Sequence, residues 1–196
     1  MMNKIKNIDL ITLVNIKGEI TGYAEKIETH LRGDLHLAFS FMIMRSQGAD
    51  TEYLLQQRAL NKYHSGGLWA NTCCSHPQPN EGINDAAQRR VAEELGITSP
   101  LNLSTIGRIH YKHLLDNQMI EHELDNIVIA NVDDIEWQQN PNEVMDVKWW
   151  KEHEIVKLLH CKPTAFVAWF PMVFDFIKKN KPTDLSALCT MPQINQ

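Results

Sequence analysis

The sequence predicts an α+β fold in which a mixed β-sheet packs against helices. Apolar segments of strand length occur along the whole chain, and helical patterns occur at only a few places between them. The sequence contains neither an internal repeat nor an interdomain linker. Strands in mixed order with occasional helices are typical of an α+β sandwich rather than of a regular βαβ repeat. A length of 196 residues suits a single domain spanning residues 1–196.

Four strands are predicted in the first half of the chain. Residues 10–16 are mostly apolar and end at a Lys-Gly turn. Residues 35–44 are apolar at almost every position, which predicts a strand buried on both faces. Residues 53–57 follow a polar turn and form its expected hairpin partner. A pair of glycines then precedes a fourth strand at residues 68–74.

The second half of the chain alternates predicted helices and strands. One helix begins where Asn84 or Asp85 can cap it and ends at Leu95, because Gly96 follows. Strands are predicted at residues 106–113, 120–132 and 144–150, with a turn at residues 116–117. Helices are predicted at residues 153–159 and 164–179, and residues 1–7 and 182–196 are expected to be flexible tails.

Composition limits the classes of partner. The net charge is −5, so no basic surface is available for nucleic acid. The cysteines Cys73, Cys74, Cys161 and Cys189 lack CxxC spacing, which favours reduced thiols. No segment approaches the roughly 18 apolar residues of a membrane span. We therefore expect a cytoplasmic protein, and the sequence leaves its oligomeric state open.

A cysteine and a histidine stand close together in the segment NTCCSHP, residues 71–77. In an extended segment, alternation places Cys74 and His76 on one face and Cys73 on the other. A thiol beside a metal ligand has its chemistry tuned by that neighbour, whereas a cysteine on a core face behaves as a small hydrophobe. Burial preference favours the second role for a single cysteine, so other polar residues must decide.

The predicted helix before Gly96 is rich in charge. Arg89 and Glu93 are four residues apart, as are Arg90 and Glu94, so each pair can meet on the helix surface. Ordinary ion pairs on a solvated helix explain this pattern as well as a functional site does. Both interpretations stay open from this segment alone.

The same region resembles the signature of the Nudix superfamily, through Glu81, Arg89, Glu93, Glu94, Gly96 and Ile97. That resemblance implies an α/β/α sandwich with a mixed sheet flanked by helices. Ser75 stands where the signature has glycine, and Arg90 stands where it has glutamate. In Nudix hydrolases the helix carboxylates surround magnesium, so Arg90 argues against hydrolysis.

Further segments resemble the type 1 isopentenyl-diphosphate isomerases, in order along residues 10–174. They are LHLAFS, QRALNK, the NTCCSHP segment, the charged helix, EHE and AW, at residues 35–40, 57–62, 71–77, 81–97, 121–123 and 168–169. The resemblance implies interconversion of isopentenyl and dimethylallyl diphosphate by protonation and deprotonation of the alkene. Magnesium and one further divalent metal are the implied cofactors.

Moving a double bond by one carbon requires an acid and a base that face the substrate from different directions. Cys74 is a plausible group of this kind, and Glu121 and Glu123 project from one strand face. An exposed strand face is the ordinary alternative for the two acids. By resemblance, Glu123 works with Cys74, Tyr111 assists it, and Trp169 stabilises positive charge on the intermediate.

The resemblance also implies ligands for a metal: His30, His36, His76, Glu121 and Glu123. Such a set accepts manganese, zinc or iron, and we expect Mn²⁺ first and Zn²⁺ second. Gly33 and Asp34 predict a loop between His30 and His36. No role is assigned to the remaining histidines, His64, His110, His113, His122, His153 and His160.

Positive charge is needed for a diphosphate, and the resemblance assigns it to Lys26, Arg58, Lys62 and Arg90. Glu94 resembles the ligand of Mg²⁺. A solvated surface charge is the ordinary alternative for each basic residue. Two other functions stay open: a Nudix pyrophosphohydrolase, and a metal-binding or phosphate-binding module without catalysis.

Overall fold

The computed structural model of the protein describes residues 9–48, 50–115 and 117–181. The tails predicted at residues 1–7 and 182–196, Cys189 and part of the turn predicted at residues 116–117 lie outside these ranges. In the described part of the chain, no helix has the length and apolar character needed to cross a membrane.

Nine strands and four α-helices are present in the described ranges. The strands are β1 (Leu10–Val14), β2 (Ile20–Glu25), β3 (His36–Gln47), β4 (Asp50–Arg58), β5 (Trp69–Ala70), β6 (Cys73–Ser75), β7 (Ser104–Leu114), β8 (Ile120–Asn131) and β9 (Val144–Lys151). The helices are α1 (Lys26–Arg32), α2 (Ile83–Leu95), α3 (Glu152–Cys161) and α4 (Phe170–Asn180), and a 3-10 turn covers Pro163–Ala165.

Strand β3 lies at the centre of a mixed sheet. It pairs in parallel with β8 and antiparallel with β1, β4 and β6. Strand β7 extends the sheet beyond β8, and β9 extends it beyond β4. Because β3 has neighbours on both edges and helices on both faces, its apolar run from Phe39 to Met44 contains only buried residues.

Helices cover both faces of this sheet. Helix α2 packs Val91 and Leu95 against one face, in a cluster that includes Phe41. Helices α3 and α4 pack against the other face, in a cluster that includes Met42 and Phe174. Adjacent residues of β3 thus point to different layers, as strand alternation requires. Each such large apolar side chain contributes about 1.5–3 kcal/mol through burial. The predicted α/β/α sandwich is confirmed.

The sequence did not predict β2 and α1. Strand β1 ends at Val14 rather than residue 16, and β2 pairs back along it. Helix α1 follows directly, and the side chain of Glu25 accepts a hydrogen bond from the N–H of Glu28 at 2.9 Å. Glutamate is not a usual cap, and seven residues give little helical periodicity, so the helix has a weak sequence signal. It ends at Gly33 with φ of 69°, which gives the predicted loop before His36.

The single strand predicted at residues 68–74 is wrong, because β5 and β6 are separate. Strand β5 pairs with β4, whereas β6 pairs with β3. Between them, the Asn71 amide donates to the carbonyl groups of Phe41 and Cys73 at 3.2 and 2.9 Å. The Thr72 hydroxyl donates to the Leu54 carbonyl at 2.6 Å. These side chains replace ladder hydrogen bonds where the chain crosses from one strand to the next.

The helix predicted at residues 164–179 is also interrupted. The backbone N–H of Val167 donates to the Trp69 carbonyl at 2.9 Å, so this segment is extended along β5. Helix α4 begins at Phe170, with Pro171 in its first turn, where the missing N–H has no cost. This interruption places Trp169 at the N-terminal end of α4, beside the sheet.

Helix α2 begins earlier than predicted. Its N-cap is Gly82, in an extended conformation and without a side-chain hydrogen bond, so neither Asn84 nor Asp85 caps it. The C-terminal end is as predicted, at Gly96, whose φ of 68° lies in the left-handed region. A Cβ at Gly96 would lie 2.7 Å from the carbonyl oxygen of Gln138.

Replacement of Gly96 by alanine should therefore destabilise the protein by about 2–4 kcal/mol, since left-handed strain adds to overpacking against a backbone atom. Gly48 is the matched control, because its φ is 64° and a Cβ there meets no described atom within 4 Å. Gly48→Ala should cost only the strain, about 1–2 kcal/mol. Urea unfolding measures both values, and equal losses would contradict the role of the Gln138 contact.

Candidate active site

A small polar cavity lies where α1, β4, β6, α2 and β8 meet. Most of the side chains predicted for the site line it: Lys26, Arg58, Lys62, Cys74, His76, Arg90, Glu94, Glu121, Glu123 and Trp169. His30, His36 and Tyr111 are buried directly behind this lining, in contact with Glu121 or Glu123. The structure thus brings all of the predicted residues to one place.

Five of these side chains form a compact donor group: His30, His36, His76, Glu121 and Glu123. One ligand atom from each lies within 4.8 Å of all the others. The parallel register of β3 and β8 places His36 opposite Glu123, and alternation along β8 places Glu121 on the same face. Helix α1 supplies His30, and the residue after β6 supplies His76.

The hydrogen bonds around the histidines leave nitrogen lone pairs free for a metal. The Nδ1–H of His30 donates to the Lys26 carbonyl at 2.6 Å, and that of His36 donates to the Asp34 carbonyl at 2.9 Å. A carbonyl only accepts, so in each neutral ring the lone pair is on Nε2. Neither Nε2 atom has a hydrogen-bond partner among the described residues, nor does Glu121 Oε2. Convergent buried atoms without partners fit a divalent ion.

The pKa shifts within the donor group differ in direction: despite burial, contact with Glu121 raises the pKa of His30, whereas the shifts of His76 and Glu121 favour the forms that bind metal. Burial lowers the pKa of His76 to about 4, despite its contact with Glu123. Burial alone would raise the pKa of Glu121, but contacts with His30 and His64 bring it well below its usual range. A neutral imidazole and an ionised carboxylate are the forms that bind metal ions.

The thiol of Cys74 points into the cavity from β6. Its S–H donates to the Asn71 side-chain oxygen at 2.7 Å, and the indole N–H of Trp169 donates to its sulfur at 3.2 Å. Ser40 Oγ lies 3.5 Å from the same sulfur. Cys73 points the other way, into the cluster beneath α2. The structure therefore places the two adjacent thiols on opposite faces, as alternation predicts.

The carboxyl group of Glu123 belongs to a buried hydrogen-bonded set. Tyr111 donates a short hydrogen bond to Glu123 Oε2, and burial raises the pKa of Tyr111 well above its usual value. Two residues further along β8, Asp125 is fully buried and accepts a hydrogen bond from Ser40 at 2.7 Å. Burial, together with the charge of Glu123, raises the pKa of Asp125 well above its usual value. Cys74, on β6, and Glu123, on β8, both line the cavity and so enter it from different strands.

Four basic side chains also line the cavity; Lys62 pairs with Glu143 and Arg90 with Glu94, whereas Arg58 has no such partner in the described part of the chain. Arg58 is 8% exposed and forms no ion pair among the described residues; the only described hydrogen bond of its guanidinium group goes to the His64 carbonyl at 3.3 Å. Burial lowers the pKa of Lys26, whose ammonium group lies 3.6 Å from Asp9. A buried cation without a partner is costly, so this part of the cavity suits an anion.

Helix α2 presents Arg90 and Glu94 to the cavity. Arg90 forms close ion pairs with Glu93 and Glu94, and Gln56 donates to Glu94 Oε2 at 2.8 Å. On the outer side, Arg89 binds both oxygens of Glu81 at 2.6 and 2.7 Å. The guanidinium group of Arg90 therefore lies against Glu93 and Glu94, which are carboxylates that a cluster of magnesium ions would need.

Several residues of the site were not assigned from the sequence. Asp125 continues the alternation of Glu121 and Glu123, and Asn71 begins the NTCCSHP segment, so both had a signal. His64, which was given no role, lies in the cavity with Nε2 3.0 Å from Glu121 Oε1. Its loop has no periodicity, and only the tertiary structure brings it to β8. Trp69, Trp149 and Trp150 lie away from the donor group, Trp69 and Trp150 in ring contact.

Comparison with solved structures supports the fold. The DR0079 protein of Deinococcus radiodurans aligns with a TM-score of 0.68 and 16% identity, over 88% of this chain and 99% of its own. A MutT protein from Methanosarcina mazei Go1 gives a TM-score of 0.58 and 20% identity, over 76% of this chain and 96% of its own. The family profile described as NUDIX domain matches residues 34–170. The protein is therefore a Nudix-domain protein.

Curated relatives narrow the class. An isopentenyl-diphosphate Delta-isomerase of Aliivibrio fischeri (strain MJ11) is 45% identical, over 85% of this chain and 93% of its own. One from Pectobacterium atrosepticum is 42% identical, over 84% of this chain and 88% of its own. The chain belongs to the isopentenyl-diphosphate Delta-isomerase family.

The environment of Cys74 predicts how its thiol reacts. Burial raises its pKa, so less thiolate is present at a given pH and alkylation should be slow at pH 8. The alkylation rate of Cys74 should keep rising with pH well beyond the ordinary titration range of a cysteine. Peptide mass spectrometry after iodoacetamide treatment measures each site. Among the three cysteines within the described ranges, exposed Cys161 should react first and buried Cys73 last, and faster reaction at Cys73 than at Cys74 would contradict the assigned faces.

Proposed function

We propose that the protein interconverts isopentenyl and dimethylallyl diphosphate, the reaction named for its relatives. One observation carries this proposal: Cys74 and Glu123, two groups able to exchange protons, enter one cavity from different strands, and basic side chains also line that cavity. Transposition of a double bond needs this pair of groups, whereas hydrolysis of a diphosphate needs an activated water.

The reaction adds one proton and removes another. A proton added to the terminal alkene carbon gives a methyl group and leaves positive charge on the adjacent tertiary carbon. Loss of a proton from the neighbouring methylene group then forms the new double bond. One of Cys74 and Glu123 delivers the proton and the other removes it, and their roles exchange when the reaction runs in reverse. Tyr111 donates to Glu123 and orients its carboxyl group.

The cationic intermediate needs protection from water and a partner for its charge. Trp169 is 3% exposed and its indole ring adjoins Cys74, so its face can lie against the intermediate. A desolvated cation over an indole ring gains about 2 kcal/mol. At the other end, Lys26, Arg58 and Lys62 bind the diphosphate with Arg90. Binding energy from this remote group holds the alkene in position.

The donor group of His30, His36, His76, Glu121 and Glu123 would hold a divalent ion, with Mn²⁺ expected and Zn²⁺ as the alternative. When bound, this ion supplies positive charge that stabilises an ionised Glu123 and fixes its orientation. Glu94 would hold Mg²⁺, which would supply positive charge for diphosphate binding. The cytoplasm and a small-molecule substrate are the expected setting, and neither a nucleic acid nor a membrane is proposed as a partner.

The arrangement of α2 disfavours a pyrophosphohydrolase. In place of a further carboxylate, Arg90 pairs with Glu94 and reduces the negative charge available for several magnesium ions. A binding module without catalysis would not need the Cys74 thiol, its three polar contacts or the Tyr111 hydrogen bond to Glu123.

Reaction in heavy water tests the mechanism. Purified protein with Mg²⁺ and isopentenyl diphosphate should place deuterium in a methyl group of dimethylallyl diphosphate, because the added proton comes from groups that exchange with solvent. Proton and phosphorus spectra follow both products and the ester. Release of inorganic phosphate would indicate the hydrolase, and unchanged substrate would indicate the binding module.

The adjacent thiols provide the control for that experiment. Cys74→Ala should lower turnover at least about a hundredfold, since general acid–base groups contribute roughly 10²–10⁴. Cys73→Ala should retain turnover, since its loss affects packing beneath α2. The reverse order of these two variants would refute the proposed role of Cys74.

Two substitutions distinguish the proposed site of the tightly bound ion from the proposed Mg²⁺ site. After dialysis, the His76→Ala variant should lack the tightly bound ion, because one of its ligands is missing. It should also lose most activity, because Glu123 loses a neighbour that orients it. Glu94→Gln should retain that ion but need more Mg²⁺ for half-maximal activity. Elemental analysis and Mg²⁺ titration of activity measure these effects. Exposed His153 is the control, and His153→Ala should match the parent protein. Loss of the tight ion from Glu94→Gln alone would rule out this division of roles.

A further inference from the structure

His64 lies in the loop between β4 and β5, yet its side chain is almost completely buried, with the residue 7% exposed. Its Nε2 atom lies 3.0 Å from Glu121 Oε1. His64 does not belong to the five-donor group whose ligand atoms converge. It therefore contacts a member of that group from outside, through one specific carboxylate oxygen.

The two oxygens of Glu121 have different neighbours. Oε1 faces His64, whereas Oε2 lies 3.3 Å from His30 Nε2 and has no hydrogen-bond partner among the described residues. A glutamate carboxylate rotates readily about its last torsion, which is broad and roughly two-fold. A donor that holds Oε1 consequently decides where Oε2 points, and Oε2 is the oxygen directed at the donor group.

The imidazole of His64 is itself held in place. Its Nδ1 atom lies 3.1 Å from the Ser65 hydroxyl, which can donate to it, so Nε2 can carry the proton that Glu121 accepts. Arg58 donates to the His64 carbonyl at 3.3 Å. The rings of Tyr63 and Trp169 meet the imidazole edge-on, with centroids 4.3 and 5.9 Å away. A side chain that orients another must itself be held in one position, and these contacts hold the His64 ring.

We propose that His64 is a positioning residue for the metal centre: its Nε2–H holds Glu121 Oε1 so that Oε2 stays directed at His30, His36 and His76. The inference rests on the proposed function, since it assigns a support to the same centre. Ligating carboxylates are commonly oriented by outer hydrogen bonds, and loss of such a bond lowers metal affinity about 10–100-fold.

Two amide substitutions test whether a donor is needed at the position of His64 Nε2. In His64→Gln the side-chain amide nitrogen can occupy the position of Nε2, whereas in His64→Asn it can reach only the position of Nδ1, beside Ser65. Mn²⁺ is titrated into chelator-treated protein, and the free ion is measured by electron paramagnetic resonance. We expect His64→Asn to bind Mn²⁺ about 10–100-fold more weakly than the parent, and His64→Gln to recover most of that loss.

The control is His160→Asn, the same change at an exposed helix position, which should leave Mn²⁺ affinity unchanged. Thermal unfolding in chelator should be similar for the Asn and Gln variants of His64, since the proposed bond acts on metal affinity. If His64→Asn fails to fold, His64→Gln decides alone: affinity near the parent supports the proposal, and a loss as large as 10-fold contradicts it.

The remaining outcomes distinguish the two proposals. Equal Mn²⁺ affinity for the parent and both His64 variants would overturn the role of His64 and leave the proposed metal centre intact. A parent protein that binds no Mn²⁺, Zn²⁺ or Fe²⁺ would overturn the metal centre and this inference with it, whatever the isomerisation assay gives. Equal losses in His64→Asn and His64→Gln would show that the imidazole fills space and does not act through Nε2.

Discussion

The burial of Glu121 and Glu123 beside three histidines is the constraint on which the rest of the site depends. Two carboxylates on one strand face repel each other, and removing each from water costs several kcal/mol. His76 Nε2, 3.1 Å from Glu123 Oε1, and His64 Nε2, 3.0 Å from Glu121 Oε1, offset part of this cost. The backbone carbonyls that accept from two of these rings leave Nε2 lone pairs directed at the acids. A divalent cation would balance the negative charge of the two carboxylates, so the site suits a metal ion.

Strand β3 sets the geometry of the active site, because β6 and β8, the strands that carry Cys74 and the two glutamates, pair with it. Parallel pairing with β8 sets His36 opposite Glu123, and antiparallel pairing with β6 sets Ser40 opposite Cys74. The same register separates Cys73, which packs under α2, from Cys74, which contacts Trp169. A slip of one residue in β6 would exchange the two thiols. The thiol, both carboxylates and His36 are therefore positioned by backbone pairing, and His30 by helix α1.

The charge distribution along the cavity explains why this Nudix fold suits isomerisation. Arg90 on α2 pairs with Glu94, Lys26 and Arg58, which is unpaired among the described residues, add positive charge to the cavity lining, and Cys74 lies beside the indole ring of Trp169. A substrate that carries a diphosphate at one end and an alkene at the other matches this set of groups. The diphosphate then provides binding energy while the chemistry takes place away from it.

The sequence by itself determined the α+β class, the central apolar strand and the charged helix, because these depend on the pattern within single segments, and the resemblance supplied the α/β/α arrangement. Alternation also placed Cys74 apart from Cys73 and put Glu121 beside Glu123, and the resemblance supplied the distant partners, since no local pattern joins α1, α2, β6 and β8. Helix α1 was missed because seven residues with a glutamate cap give a weak signal. The contact of His64 with Glu121, the breaks at Asn71 and before Trp169, and the burial of Asp125 arise from packing between segments far apart in sequence. Only the tertiary structure decided them, because burial and long-range pairing override local propensity.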